Sequence, residues 1–337
     1  MLKSTLQLTE TTALQAHADP LDDALADLRI SGSVLLHETY AAPWAVAVPE
    51  AGALCRALGV GEDTRVWLFH FVRRGEFQLR APGQAALTVR AGEVAICSGG
   101  AHRMSLGRGA AATPLADVLL GRGPRAAAAA DAEATELVCG VFMTRAVPLN
   151  PVLDALPPVV TLSTQDRSSS PMLAGVAWML AHEIEQGGSG GFAASRLLEL
   201  FCAEAVRAYQ RGDGASRTGW FRGLADPRIG EAIRRVHAEP GRPWSVPALA
   251  GAVALSPSRF AARFRAATGQ SVMGYVARWR ANVACRLMRD SDRPLAEIAE
   301  RVGYDSLPAF SRAFKARLGR PPAAWRADQK KPSLSGL

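Results

Sequence analysis

The sequence predicts an α+β chain of 337 residues: an antiparallel β-barrel first, a pair of helices behind it, and an all-α C-terminal part holding one helix–turn–helix unit twice. Three observations predict it. Short apolar runs punctuated by Gly and Pro fill residues 28–142, apolar residues return at helical spacing between 171 and 211, and a pattern that begins at 246 recurs near 295. The length accommodates separate cores, and the pattern divides the chain into a β-domain at 1–150, a helical linker and dimerisation region at 151–219 and a helical domain at 220–330.

In the first part, VLLHETYAAPWAVAVP, VWLFHFVRRGEFQLR, ALTVRAGEVAIC and ELVCGVFM alternate or run apolar over strand lengths, with turn residues between them. Such runs read as antiparallel strands of a sandwich or small barrel. The Ala-, Gly- and Arg-rich stretch 105–134 reads as a long loop. After Pro148, PMLAGVAWMLAHEIEQ (171–186) and FAASRLLELFCAEAVRAYQR (192–211) read as helices. In the second of these Leu197, Leu200, Phe201, Ala205 and Tyr209 form a stripe that fits either the β-domain or a second copy of the chain. GGSGG (187–191) and RGDGASRTG (211–219) read as turns or linkers.

The repeat carries the functional argument. VPALAGAVALSPSRFAARFRAATG (246–269) and LAEIAERVGYDSLPAFSRAFKARLG (295–319) match in residue type and spacing. Leu249, Ala250 and Val253 correspond to Ile298, Ala299 and Val302. After a one-residue insertion, Phe260, Phe264, Arg265 and Gly269 correspond to Phe310, Phe314, Lys315 and Gly319. Ala250 and Ala299 permit close helix approach, Ala254 and Gly303 occupy the turn, and Ser256 and Asp305 or Ser306 cap the second helix. Phenylalanines four residues apart share one face and anchor it to the core. The opposite face is left for a DNA major groove, which admits a helix. Between the copies, GYVARWRANVACRLMRD (274–290) reads as one connecting helix striped by Tyr275, Trp279, Val283 and Leu287, with Arg278, Arg280, Arg286 and Arg289 as phosphate-contact candidates.

Charge supports that reading. Residues 228–337 hold 20 Lys+Arg against 8 Asp+Glu, whereas residues 1–227 hold 19 against 23. A basic domain on a mildly acidic partner suits phosphate binding at one end. The composition, 48% hydrophobic and 21% charged, excludes a disordered or fibrous chain. Five cysteines without paired spacing suit a reducing cytoplasm rather than a disulfide framework. The polar N-terminus, with Glu10 and Asp19, is not a signal peptide, and no apolar window is long enough to span a membrane.

Residues 228–328, and above all IAERVGYDSLPAFSRAFKARLGRPPAAWR, resemble the DNA-binding domain of the AraC/XylS transcription regulators. The resemblance implies a seven-helix domain with recognition helices starting near Ser256 and Ser306. Groove contacts would fall on Ser258, Arg259, Ala262 and Arg263 in the first unit and on Leu307, Pro308, Ser311 and Arg312 in the second. Arg265, Lys315 and Arg317 would contact phosphates. Ala261, Ala262 and Pro308 depart from members with long polar side chains there, so readout would lean on arginines and DNA shape. The implied partners are double-stranded promoter or operator DNA, RNA polymerase, a second copy of the chain, and a small-molecule or redox signal. Activation and repression both stay open.

The order of β-domain, two helices and this C-terminal domain also resembles regulators with a cupin-like sensor, on the strength of LRISGSVLLHETYAAPWAVAVP and LVCGVFM. Of the cupin metal pattern, Cys97-Ser98-Gly99-Gly100-Ala101-His102 keeps the second half; Asp63, Thr64 and Leu68 stand near where His, His and Glu are needed. Three readings follow for the sensor: a metal site from His37, His70 and His102; an oxidant-responsive Cys97 or Cys139, helped by Arg103; or a small-molecule pocket lined by Trp44, Trp67, Phe69 and Phe71. The bland counterpart of each is core packing, and no metal or other cofactor is expected. Catalysis is not expected either: His182-Glu183-Ile184-Glu185 lacks a second metal-binding histidine, and GGSGG lies between helices, where no nucleophile elbow forms. The alternative function is a metal-binding cupin enzyme or metal sensor fused to a DNA-binding domain.

Overall fold

A computed structural model describes residues 19–61, 64–98, 100–124, 126, 134–144, 149–166, 170–214 and 219–329. Asp63, Gly99 and most of the 211–219 linker's second half lie outside them. The first part runs α1 (Pro20–Leu28), β1 (Ile30–Ala41), β2 (Trp44–Val48), α2 (Ala51–Ala57), β3 (Arg65–Arg74), β4 (Glu76–Arg80), β5 (Leu87–Arg90), β6 (Glu93–Cys97), β7 (His102–Leu106), β8 (Thr113–Pro114), α3 (Leu115–Leu119), β9 (Ala134–Thr144), α4 (Pro151–Ala155) and β10 (Val159–Ser163). Helices α5 (Pro171–Glu185) and α6 (Phe192–Tyr209) follow.

The strands form two five-stranded sheets, β1-β9-β3-β6-β10 and β5-β4-β7-β2-β8, which do not close into one barrel. All pairings are antiparallel except β2 with β8. Of the expected sandwich or small barrel, the antiparallel β-domain is present as two sheets. The stretch 105–134 is also less of a loop than its composition suggests, since it contains the end of β7, then β8 and α3.

Alternation along β3 organises the layers. Val66, Leu68 and Val72 join Trp44, Val46, Phe77, Leu79 and Met104 of the other sheet in an inner core. Trp67, Phe69 and Phe71 face the opposite way, into a second core shared with α5, α6 and the C-terminal helices. Phe69 stacks on Phe142 at 4.8 Å between centroids and meets Phe201 of α6 at 6.3 Å. Phe201, Ala205 and Tyr209 are therefore buried within the chain, while Leu200 stays exposed. The α6 stripe packs on its own sheet.

The C-terminal part comprises α7 (Trp220–Ala225), α8 (Pro227–Ala238), α9 (Val246–Ala252), α10 (Pro257–Thr268), α11 (Val272–Asp290), α12 (Leu295–Arg301), α13 (Leu307–Leu318) and α14 (Pro322–Gln329). The seven helices α8–α14 cover the span for which seven were expected. No helix among the described residues is long and apolar enough to cross a membrane.

Candidate nucleic-acid interface and the histidine–cysteine cluster

The two repeats fold as paired helices, α9 with α10 and α12 with α13. Recognition helices α10 and α13 start fifty positions apart, whereas α9 and α12 start 49 apart, so the inserted residue lies in the second turn. Phe260, Phe264, Phe310 and Phe314 are almost fully buried. Pro stands in the first turn of both recognition helices, where its missing N–H costs nothing. Ser306 caps α13 by accepting from the Ala309 N–H at 3.3 Å; Ser256 holds the same cap position on α10 without a side-chain bond. Both helices end on a glycine in left-handed conformation, Gly269 and Gly319. Helix α11, 19 residues long and hence about 28 Å at 1.5 Å per residue, touches helices of both units.

With the phenylalanine faces buried, the opposite faces are open. Ser256, Ser258, Arg259, Ala262, Arg263 and Arg265 are exposed on the first unit, and Ser306, Leu307, Pro308, Arg312, Lys315 and Arg317 on the second; Ser311 is half-buried. Among the described residues Arg259, Arg265, Arg312, Lys315 and Arg317 have no hydrogen bond or ion pair. Arg263 differs: its Nε donates to Asp226 at 2.7 Å. Burial pushes the Asp226 carboxyl up, but Arg263 and the N–H groups of Ile229 and Arg228 outweigh it and hold the group below its usual range.

The arginines of α11 are committed inside the protein. Arg280 donates to the carbonyls of Pro240, Gly303 and Arg242, tying the second turn to the chain before α9. Arg278 reaches Leu149 O and Asp154, Arg286 reaches Asp27, and Arg289 pairs with Asp290. Reading these four as phosphate contacts or solvated cations gives way to a reading as structural ties.

In the β half, the inward face of β3 brings His70 opposite His102 of β7, with Nε2 atoms 2.8 Å apart. His70 Nδ1 lies 3.1 Å from Cys139 Sγ, and His102 Nδ1 lies 2.8 Å from Gly100 O. Cys97, His70 and His102 have their donor atoms within 4.8 Å of one another, and all are buried. Burial, and then the neighbouring His102, drive His70 well below the usual imidazole value; burial also lowers His102. Burial pushes the Cys97 thiol up to about 12 and raises Cys139 as well. A sensor thiolate needs the opposite environment, and Arg103 is engaged with Ala110 O instead.

His37 stands apart, near the surface, 3.0 Å from Glu136. The expected histidine trio thus becomes a pair, with Cys97 nearby. Trp44 and Trp67 also part company: Trp44 lies in the inner core, whereas Trp67, Phe69 and Phe71 lie in the outer one, so the four aromatics line no common pocket.

The chain matches the Cupin family over residues 19–211 and the helix-turn-helix domain family over residues 249–328. It is 30% identical over 322 residues to an AraC-like transcription regulator of Streptomyces antibioticus, covering 91% of this chain and 98% of that one. The chain belongs to the AraC-like transcription regulators. A Streptomyces lividans protein of the same description is 36% identical over 189 residues, 55% of this chain and 60% of the other. The DNA-binding domain of AdpA, solved in complex with a target DNA, is 31% identical over 33% of the chain and 99% of its own length, at a TM-score of 0.31. This AraC-like regulator carries a cupin domain and a helix-turn-helix domain that binds double-stranded DNA.

In the regulator the two halves touch where α11 meets acidic residues of α1 and α4 that sequence reasoning passed over. Asp27 of α1 is buried and accepts from Asn282 at 2.8 Å and from Arg286 at 3.1 Å, both on α11. Arg29 pairs with Asp290, and Asp154 of α4 takes Arg278. His237 of α8, stacked on Trp279 at 3.5 Å, brings its Nδ1 to 3.8 Å from Asp23 of α1. The signal that could have found this contact is the acidic run DPLDDALAD at 19–27, facing a helix with four arginines.

Proposed function

We propose that this regulator binds a specific promoter or operator sequence with α10 and α13 in successive major grooves. Arg259, Arg263 and Arg312 read base edges with Ser258, Ala262, Leu307, Pro308 and Ser311 beside them. Arg265, Lys315 and Arg317 grip phosphates, and Ser256 and Ser306 set the helix starts. The observation that carries this is the cationic face of the two recognition helices, open to solvent and, apart from the Arg263–Asp226 pair, unpaired, whereas most other arginines among the described residues are tied down. Residues 1–150 act as the sensor, 151–219 as the dimerisation region and 220–330 as the DNA-binding domain. The regulator works in the cytoplasm, contacts RNA polymerase and performs no catalysis.

A homodimer is supported by the apolar surface that α5 and α6 leave open: Met172, Trp178, Met179, Phe192 and Leu200 are all exposed, and contiguous exposed apolar residues mark interaction sites. The signal is a small molecule rather than an oxidant, since Cys97 and Cys139 are buried with raised thiols. Signal passes from the β half to α11 through Asp27 and Asp154. The test is selection of a binding site from random DNA with the full-length protein, followed by competition. Specific binding should exceed nonspecific by about 10³ or more at physiological salt; a ratio near one would overturn the proposal.

A further inference from the structure

We propose that the regulator's β half binds one divalent ion of the zinc type through His70, Cys97 and His102. The three ligands come from three strands and both sheets: His70 from β3, Cys97 from β6 and His102 from β7. Imidazole and thiolate are the donors such an ion takes. The set is not the metal pattern of the cupin resemblance, whose first half is missing here, and it excludes His37. Cys97, which takes the place of a non-ligating proline, supplies the third donor.

The hydrogen-bond network supports this set. His102 Nδ1 faces a carbonyl, Gly100 O, and so carries the ring proton; its Nε2 lone pair then points at His70 Nε2, 2.8 Å away. Without an ion the contacts close as a chain, in which the Cys139 thiol donates to His70 Nδ1 and His70 Nε2–H donates to His102 Nε2. With an ion bound, the His70 proton shifts to Nδ1 and donates to Cys139 Sγ, and both Nε2 atoms turn to the metal. Gly100 O and Cys139 then orient the two rings, the role that outer-shell partners play at metal sites. Nitrogen ligands about 2.0–2.1 Å from a tetrahedral ion stand roughly 3.3 Å apart, so the pair must open by about half an ångström.

Charge points to the fourth ligand. Binding replaces the Cys97 S–H bond by an S–metal bond and releases one proton, leaving a net charge of +1 on a buried group. Beside Cys97 and His102 lies a cavity of about 220 Å³ whose wall includes Glu50. The open position faces this cavity, and a small anion completes the tetrahedron. The proposal is independent of operator recognition.

The full-length protein, stripped with a chelator, is titrated with Co²⁺ alone and followed by absorption. The expected result is one Co²⁺ per chain, with tetrahedral d–d bands and a thiolate-to-cobalt charge-transfer band that Zn²⁺ displaces. Cys97→Ser should lose the charge-transfer band, whereas Cys139→Ser and His37→Ala should keep it. Absence of stoichiometric binding, or a charge-transfer band that survives in Cys97→Ser, overturns the proposal. X-ray absorption on the zinc-loaded wild type needs no variant: it should find one sulfur at about 2.3 Å and imidazole nitrogens at about 2.0–2.1 Å, and a shell without sulfur refutes the donor set.

Discussion

Ala254 and Gly303 hold the same turn position in the two repeats, yet only one of them is a glycine. Both lie in the left-handed region, at φ 53° and φ 80°, where a side chain costs on the order of 1 kcal/mol or more. At 303 a methyl would also sit 2.5 Å from Gly241 O and 2.6 Å from Arg280 Nη2, the guanidinium that ties this turn down. Gly303→Ala should therefore lower stability by about 2 kcal/mol, a left-handed cost with a steric one added. Ala254→Gly trades strain for unfolded-state entropy and should leave stability unchanged or raise it by up to about 1 kcal/mol. Denaturant unfolding of the full-length variants measures both, and equal losses would contradict the assignment of the two turns. The turn and its anchoring phenylalanines were legible in the sequence because they are local. The fate of Arg278 and Arg286 was not, because Asp27, Leu149 and Asp154 lie more than 100 residues from the α11 groups they hold.

At the scale of elements, β1 to β6, β9 and both long helices were readable from period alone, since each buries one face and exposes or shares the other, whereas β7, β8 and β10 lie outside the apolar runs. Closure was not, because it depends on which strands pair, and β8 adds to its sheet edge through only two residues. Short helices such as α1, α2 and α4 lack enough turns to show a period. The histidine–cysteine cluster was half legible: Cys97 and His102 stood in one recognisable motif, but bringing His70 to them needed the register of β3 with β6 and the packing of one sheet on the other. The packing of α6 on β1 depends on a missing side chain, since a methyl on Gly32 would lie 2.5 Å from Leu198 Cβ. Gly32→Ala should destabilise the protein by about 1–3 kcal/mol through overpacking, read as a lowered unfolding midpoint; an unchanged midpoint would show that α6 does not rest on that strand.

Across the whole molecule, α11 joins the recognition units to each other and to the β half, so its contacts decide how the units are presented. Burial raises the Asp27 carboxyl above its ordinary value of 3.8, against the opposing pull of Arg286 and Asn282. A carboxyl raised by folding contributes stability that is fully present below its unfolded value and is lost as pH climbs through the folded one. Asp27→Asn stays neutral and should gain in Tm over the wild type as pH rises through that window; calorimetry across the acidic range tests it, and a wild type that gains instead would reverse the assignment. In the proposed complex, α10 and α13 enter successive major grooves from one side of the duplex. Hydroxyl-radical footprinting of the full-length regulator on its selected operator tests it most directly. Two protected patches about one helical turn apart, 10–10.5 base pairs, are predicted for each chain, with Arg259→Ala weakening one and Arg312→Ala the other; a single patch, or protection unchanged in both variants, would contradict it.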